Sequence, residues 1–257
     1  MPDQNIDVDF SNEVMFSLVD EQSTRADVTS LTSFNVLCVT GNMGSSESTK
    51  FNTAFTRSGS YYMGGKFWPS SNPSYSFYAS NNAITPSYSG AYVSVDGSTD
   101  VVVAYNKFNS SLSNYKTVIP LTFIHVFAKI GYCKVVAPTD YTVSNLNVTF
   151  NPYYKGNYYI YNGSWTKNAS KSVLLANALN SENVNGSYII PGTYTINISY
   201  TLTKGSYTES FVKTVDLSFI FGRVNNVVLQ LPEGNPYDNP GGTVVPDPWE
   251  EDEDIIL

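Results

Sequence analysis

The chain has 257 residues, 42% of them hydrophobic and only 14% charged, with 20 Tyr, 14 Phe and a net charge of −8. That apolar share supplies a core and excludes disorder throughout, while the length allows one large or two ordinary domains. Six of the 22 acids (Asp247, Glu250, Glu251, Asp252, Glu253 and Asp254) crowd the C-terminal end, which leaves 16 acids against 14 bases in the body; this is not the basic footprint of a nucleic-acid binder.

In chain order the residues read as β structure. Ile6, Val8 and Phe10 alternate, and so do Val14, Phe16 and Leu18 with Met15 opposite. These are one interrupted strand or two short ones. Residues 22–29 form a polar loop containing Arg25. Phe34–Thr40 is a strand and residues 41–50 have turn composition. Phe51–Phe55 and Gly59–Trp68 form a short pair, Pro69–Pro73 a turn, and Tyr75–Ala79 a strand. Residues 81–90 read as loop, Ala91–Val95 as a short strand and Val101–Tyr105 as a buried one, followed by polar loop over 107–116.

The segment Thr117–Tyr132 predicts the strand around which the others are arranged. Leu121, Phe123, His125 and Phe127 share one face, and Thr122, Ile124, Val126 and Ala128 the other. Both faces are apolar enough to be covered. Cys133–Val136 continue it, and residues 137–140 break the pattern at a candidate domain boundary after Pro138. Beyond it, Leu146, Val148 and Phe150 alternate, and residues 156–161 are a Tyr-rich strand ending in an Asn162–Gly163 turn. Val173–Asn177 fits a helical turn or a strand. Tyr188–Ile190 lead through a Pro191–Gly192 turn to Tyr194, Ile196, Ile198 and Tyr200. Tyr207–Phe211, then Val215, Leu217, Phe219 and Phe221, and finally Val227, Leu229 and Leu231 complete the folded pattern. From Pro232 onward the composition is that of a linker. The expectation is an all-β protein with a first sandwich over 1–138, a second over 139–232, and a flexible linker and acidic tail over 233–257.

Candidate chemistry is sparse. Any Ser–His–Asp or Cys–His device must use His125, the only histidine; its mid-strand place between Phe123 and Phe127 reads as a hydrogen-bonded core residue. One His and two distant Cys do not make a zinc site. The acidic run lacks the spacing of a calcium loop and reads as a solvated tail. No Gly-x-x-x-x-Gly-Lys-Ser/Thr loop occurs. The residues thus predict no catalytic, cofactor or metal site. Cys38 and Cys133 read as buried free thiols. The tyrosines at 61, 62, 153, 154, 158, 159 and 161 read as cross-strand packing partners, with sugar stacking as the other use. Six Asn-x-Ser/Thr sequons (Asn109, Asn147, Asn162, Asn168, Asn185, Asn197) match the Asn, Ser and Thr content. Met1 opens no secretory signal, and no apolar run reaches the roughly 18 residues of a membrane helix.

Several landmarks in order resemble the fimbrillin-like proteins of Bacteroidetes. Ser23-Thr-Arg-Ala26 precedes Phe34-Asn-Val36; Tyr61 to Trp68-Pro69 precedes Tyr75-Ser-Phe-Tyr-Ala79; then come Asp100-Val-Val-Val-Ala104, Leu121-Thr-Phe-Ile-His125 and Pro191-Gly-Thr-Tyr194. The resemblance spans roughly residues 20–231. It implies two transthyretin-like β-sandwiches and a non-catalytic surface structural role. It also implies partners that are copies of the chain or neighbouring subunits, joined by strand addition. The removable element would be the N-terminal strand Ile6–Leu18, with Arg25 near a cleavage point. The C-terminal segment would be the donor, poorly suited because Pro246, Pro248 and the acids interrupt Val244-Val245 and Ile255-Ile256-Leu257. A chain starting at Met1 without a signal favours display on a phage virion as a head-fibre, decoration or tail-associated protein. The alternatives are an exported fimbrial subunit or adhesin, and a module binding host-surface glycan or protein.

Overall fold

The computed structural model describes residues 13–19, 31–40, 48–68, 74–87, 90–109, 117–179, 182–233, 235 and 237–247. Among these there is no helix, and the chain is all-β. The strands are β1 (Glu13–Leu18), β2 (Ser33–Thr40), β3 (Ser48–Ser58), β4 (Tyr61–Phe67), β5 (Ser74–Ser80), β6 (Ile84–Ser87), β7 (Gly90–Val95), β8 (Val102–Asn109), β9 (Ile119–Leu121), β10 (Ile124–His125) and β11 (Ala128–Val136). They continue with β12 (Thr142–Phe150), β13 (Tyr153–Tyr159), β14 (Ser164–Ser170), β15 (Val173–Ala176), β16 (Glu182–Val184), β17 (Tyr188–Ile189), β18 (Gly192–Lys204), β19 (Tyr207–Phe219), β20 (Val224–Gln230) and β21 (Gly241–Asp247).

The largest sheet runs β10-β8-β5-β2-β3-β4-β1-β9. Its two end strands, β9 and β10, are separated in sequence by Thr122 and Phe123 alone, so the sheet must roll until its ends nearly meet. Alternation then sorts the side chains. Phe34, Val36, Cys38, Tyr75, Phe77, Val102 and Ala104 turn into the roll. Leu37, Val39, Tyr78, Val101 and Val103 turn outward, yet are also buried. What covers them is a second sheet, β14-β13-β7-β6, built from both halves of the chain. It lays Ile84, Val93, Val95, Tyr158 and Ile160 on the outside of the roll. A third core lies between the sheet containing β16, β11, β20 and β21 and the sheet β15-β12-β18-β19.

The segment expected to be one central strand is three. β9 pairs in parallel with β1, β10 pairs with β8, and β11 pairs in parallel with β20 in a different sheet. Pro120 cannot donate to a ladder, and the chain changes partner twice within ten residues. Both faces are covered, as expected, but by successive cores. Ile119, Leu121 and Phe123 fill the roll; Val126 and Phe127 fill the middle core; Ala128, Ile130, Cys133 and Val135 fill the third. The packing of β11 against residues 146–231 lies on the N-terminal side of the expected boundary at 138.

Two further expectations are corrected. Residues 84–87, read as loop, form β6 and pair with β7. Residues 241–247, read as linker, form β21, which pairs with β20 over seven positions. The Gly241–Gly242 start hid this strand from a propensity reading, but Gly242 sits against Leu217 and Leu229, where a side chain would be tight. Val173–Ala176 resolves as strand. The acidic run beyond Asp247 lies outside the described residues, as do Ile6, Val8, Phe10 and Arg25.

Candidate functional site

The feature with functional geometry is the place occupied by β1. This strand lies between β4, to which it is antiparallel, and β9, to which it is parallel. It is the first described strand. Val14 and Phe16 are fully buried. The Phe16 ring sits edge-on to Phe34, Phe55 and Phe77, with centroids 6.1, 4.9 and 5.4 Å away, a geometry that adds about 0.5–1.5 kcal/mol per pair to the burial itself. The ends are tied by polar contacts. The Gly65 N–H donates to Glu13 Oε1 at 3.1 Å, and the Val19 N–H donates to the Leu121 carbonyl at 3.0 Å. Withdrawal of β1 would leave β4 and β9 two strand spacings apart, about 9.5 Å, with an aromatic socket open between them.

The last described strand, β21, stands at the end of its sheet among the described residues, beside β20. Its neighbour β20 carries Asn226, buried, whose Oδ1 accepts the Tyr132 N–H at 3.1 Å and whose Nδ2 donates to Asp247 Oδ2. Asn226 fits only because residue 131 is glycine: a Cβ there would stand 2.0 Å from its Oδ1. Before β21, Tyr237 packs on Phe211 and donates to Glu209 Oε2 at 2.9 Å, and Tyr207 donates to the same oxygen at 2.6 Å. These two hydrogen bonds hold the Glu209 carboxyl below its usual range.

His125 is 3% exposed, and its Nδ1 lies 2.5 Å from Asp100 Oδ2. The pair joins β10 to the residue before Val101, on the seam where the roll closes. Cys38 and Cys133 are buried free thiols in two different cores, and burial pushes both up to about 12. Tyr153, Tyr154, Tyr158 and Tyr159 lie on β13 and Tyr161 just beyond it, while Tyr61 and Tyr62 lie on β4. Tyr62 and Tyr158 are buried, the former donating to the Leu31 carbonyl at 2.5 Å. Tyr159 pairs with Tyr92 and Tyr161 with Tyr105, while Tyr61 stands in a different sheet. Among the described residues no group of three or more His, Cys, Asp or Glu side chains could hold a metal ion, and no helix is long and apolar enough to cross a membrane.

The β1 slot was legible only as alternating Val14 and Phe16; its walls, from residues 34–77 and 119–121, are set by topology. The Asn226 and Glu209 contacts carry no sequence signal, since isolated Asn and Glu in strands have none.

Among solved structures, a proposed cell adhesion protein from Parabacteroides distasonis ATCC 8503 is 11% identical over 93% of this chain and 98% of its own, with a TM-score of 0.55. A proposed cell adhesion protein from Bacteroides uniformis ATCC 8492 is 14% identical over the same shares, with a TM-score of 0.52. At such identities the likeness is one of fold. No curated protein matches the chain in sequence. Residues 20–247, from the segment before β2 to the end of β21, match the sequence profile of the fimbrillin-like family. With a match over that span, the chain belongs to the fimbrillin-like family.

Proposed function

We propose that the protein is a non-catalytic structural or adhesive subunit of a bacterial surface, joined to copies of itself or to neighbouring subunits by strand replacement at the β1 slot. The observation that carries this is Phe16: one strand at the chain's beginning supplies the ring around which Phe34, Phe55 and Phe77 close. A subunit lacking that strand has both the need and the shape to accept another. Family membership supports a fimbrial or adhesive role, and the two relatives are described in terms of cell adhesion. Neither they nor the family supports display on a virion or the binding of a glycan.

The test is cleavage of the folded protein at Arg25 by a trypsin-like protease, followed by mild heating and size measurement. The expected result is loss of residues 1–25 and growth of multimers that resist detergent. A cut protein that stays monomeric with its melting temperature unchanged would overturn the reading.

A further inference from the structure

The sheet β14-β13-β7-β6 covers the roll with one face only. Ile84, Ala91, Val93, Val95 and Tyr158 turn inward from it. By alternation the intervening side chains stand on the outer face. Strand pairing sets six of them in two rows: Thr85, Tyr92 and Tyr159 in one, and Ser94, Asn157 and Thr166 in the other. Thr85, Ser94 and Thr166 are exposed and the other three are half-buried. None of the six carries a charge.

The Tyr92 and Tyr159 rings stand side by side, with centroids 5.5 Å apart and planes inclined at 52°. The pair Tyr105 and Tyr161 differs, because Tyr105 packs against the middle core. Beside the outer pair, the Ser94 hydroxyl donates to Asn157 Oδ1 at 2.9 Å. That bond fixes the carboxamide and leaves its two N–H donors without a partner among the described residues; the Tyr92 and Tyr159 hydroxyls have none there either.

What this face can recognise follows from what it offers. Two ring faces take up apolar C–H surface, and the amide and hydroxyls around them exchange hydrogen bonds. A protein partner calls for a broader apolar centre, and no aliphatic side chain stands among the six. An anionic partner calls for bases, and this uncharged face belongs to a chain of net charge −8. A neutral sugar ring meets the face on its own terms, with C–H groups on its flat side, hydroxyls around its rim and no charge.

We propose that the outer face of this sheet binds a neutral oligosaccharide, stacked on Tyr92 and Tyr159 and held by the Asn157 amide. Such binding rests on this face alone and does not depend on strand replacement at the β1 slot.

The test is an array of neutral oligosaccharides, with sialylated and sulfated ones beside them, probed with the intact protein. A neutral saccharide is expected to bind, and its affinity to fall at least tenfold in Tyr159→Ala and in Asn157→Asp. The Asp side chain keeps the acceptor for Ser94 and removes only the N–H donors, so the fold is retained. Tyr61→Ala, in another sheet, is expected to bind as wild type does. Absence of any neutral ligand overturns the proposal, as does binding that both variants keep or that only the acidic saccharides show. If no saccharide binds and native mass spectrometry instead finds dimers that Tyr159→Ala separates, the face serves a protein partner, against the proposal. Should Tyr159→Ala not fold, Asn157→Asp alone decides.

Discussion

At the scale of single residues, His125 is a buried side chain paired with a carboxylate. Its ring is enclosed between the strands that close the roll and is tied to Asp100 at 2.5 Å. Removing the ring leaves a cavity and a carboxylate deprived of its partner. His125→Ala is expected to destabilise the protein by about 1–3 kcal/mol, read as a shift in the denaturation midpoint at constant slope. An unchanged midpoint would show that the seam does not depend on this pair. The role was legible in the sequence because Phe123 and Phe127 flank a lone histidine. The partner was not, because Asp100 lies 25 residues away and no local pattern links the two.

At the scale of elements, alternation told strand from loop well where one face was polar and poorly where it was not. β12, β18 and β19 announced themselves through Leu146, Val148 and Phe150, through Ile196 and Ile198, and through Leu217 and Phe219. The segment over 117–132 was apolar on both faces, and periodicity carries no information on where such a run changes partner. β21 was hidden by its glycines, and β6 by its length of four residues. The first strand is the element with most at stake. Phe16→Ala removes a fully buried ring from three edge-on contacts and is expected to cost about 3–5 kcal/mol. The expected signature is faster hydrogen exchange in β1 and in the facing strands β4 and β9, with β18 and β19 unaffected. Uniform loss of protection across the chain would show that β1 is not a separable unit.

At the scale of the whole molecule, the all-β class was foreseeable; the middle core shared between the two halves of the chain was not. The bridging sheet pairs β7 with β13 over four positions, from Gly156↔Val95 to Tyr159↔Tyr92. No sequence pattern announces that strands from 90–95 and 153–159 are neighbours. We propose that the chain comprises two sandwich bodies with the changeover near Val126–Ala128, coupled through this sheet. Because Leu37, Val39 and Tyr78 of the first body are buried under Tyr158 and Ile160 of the second, thermal unfolding is expected as one calorimetric transition. Two separated transitions would show that the middle core does not couple the bodies.

The placing of β1 has a mechanical side. On the strand-replacement reading proposed above, tension between subunits would run along the strand in the β1 slot. β1 is held on both sides, antiparallel to β4 and parallel to β9, by hydrogen bonds that run across the strand rather than along it. Tension along its axis therefore loads these bonds together, in shear, instead of opening them one at a time. Phe16, set crosswise between Phe34 and Phe55, acts as a peg against sliding. A strand seated in this slot, bonded on both sides, resists traction better than one bonded on a single side.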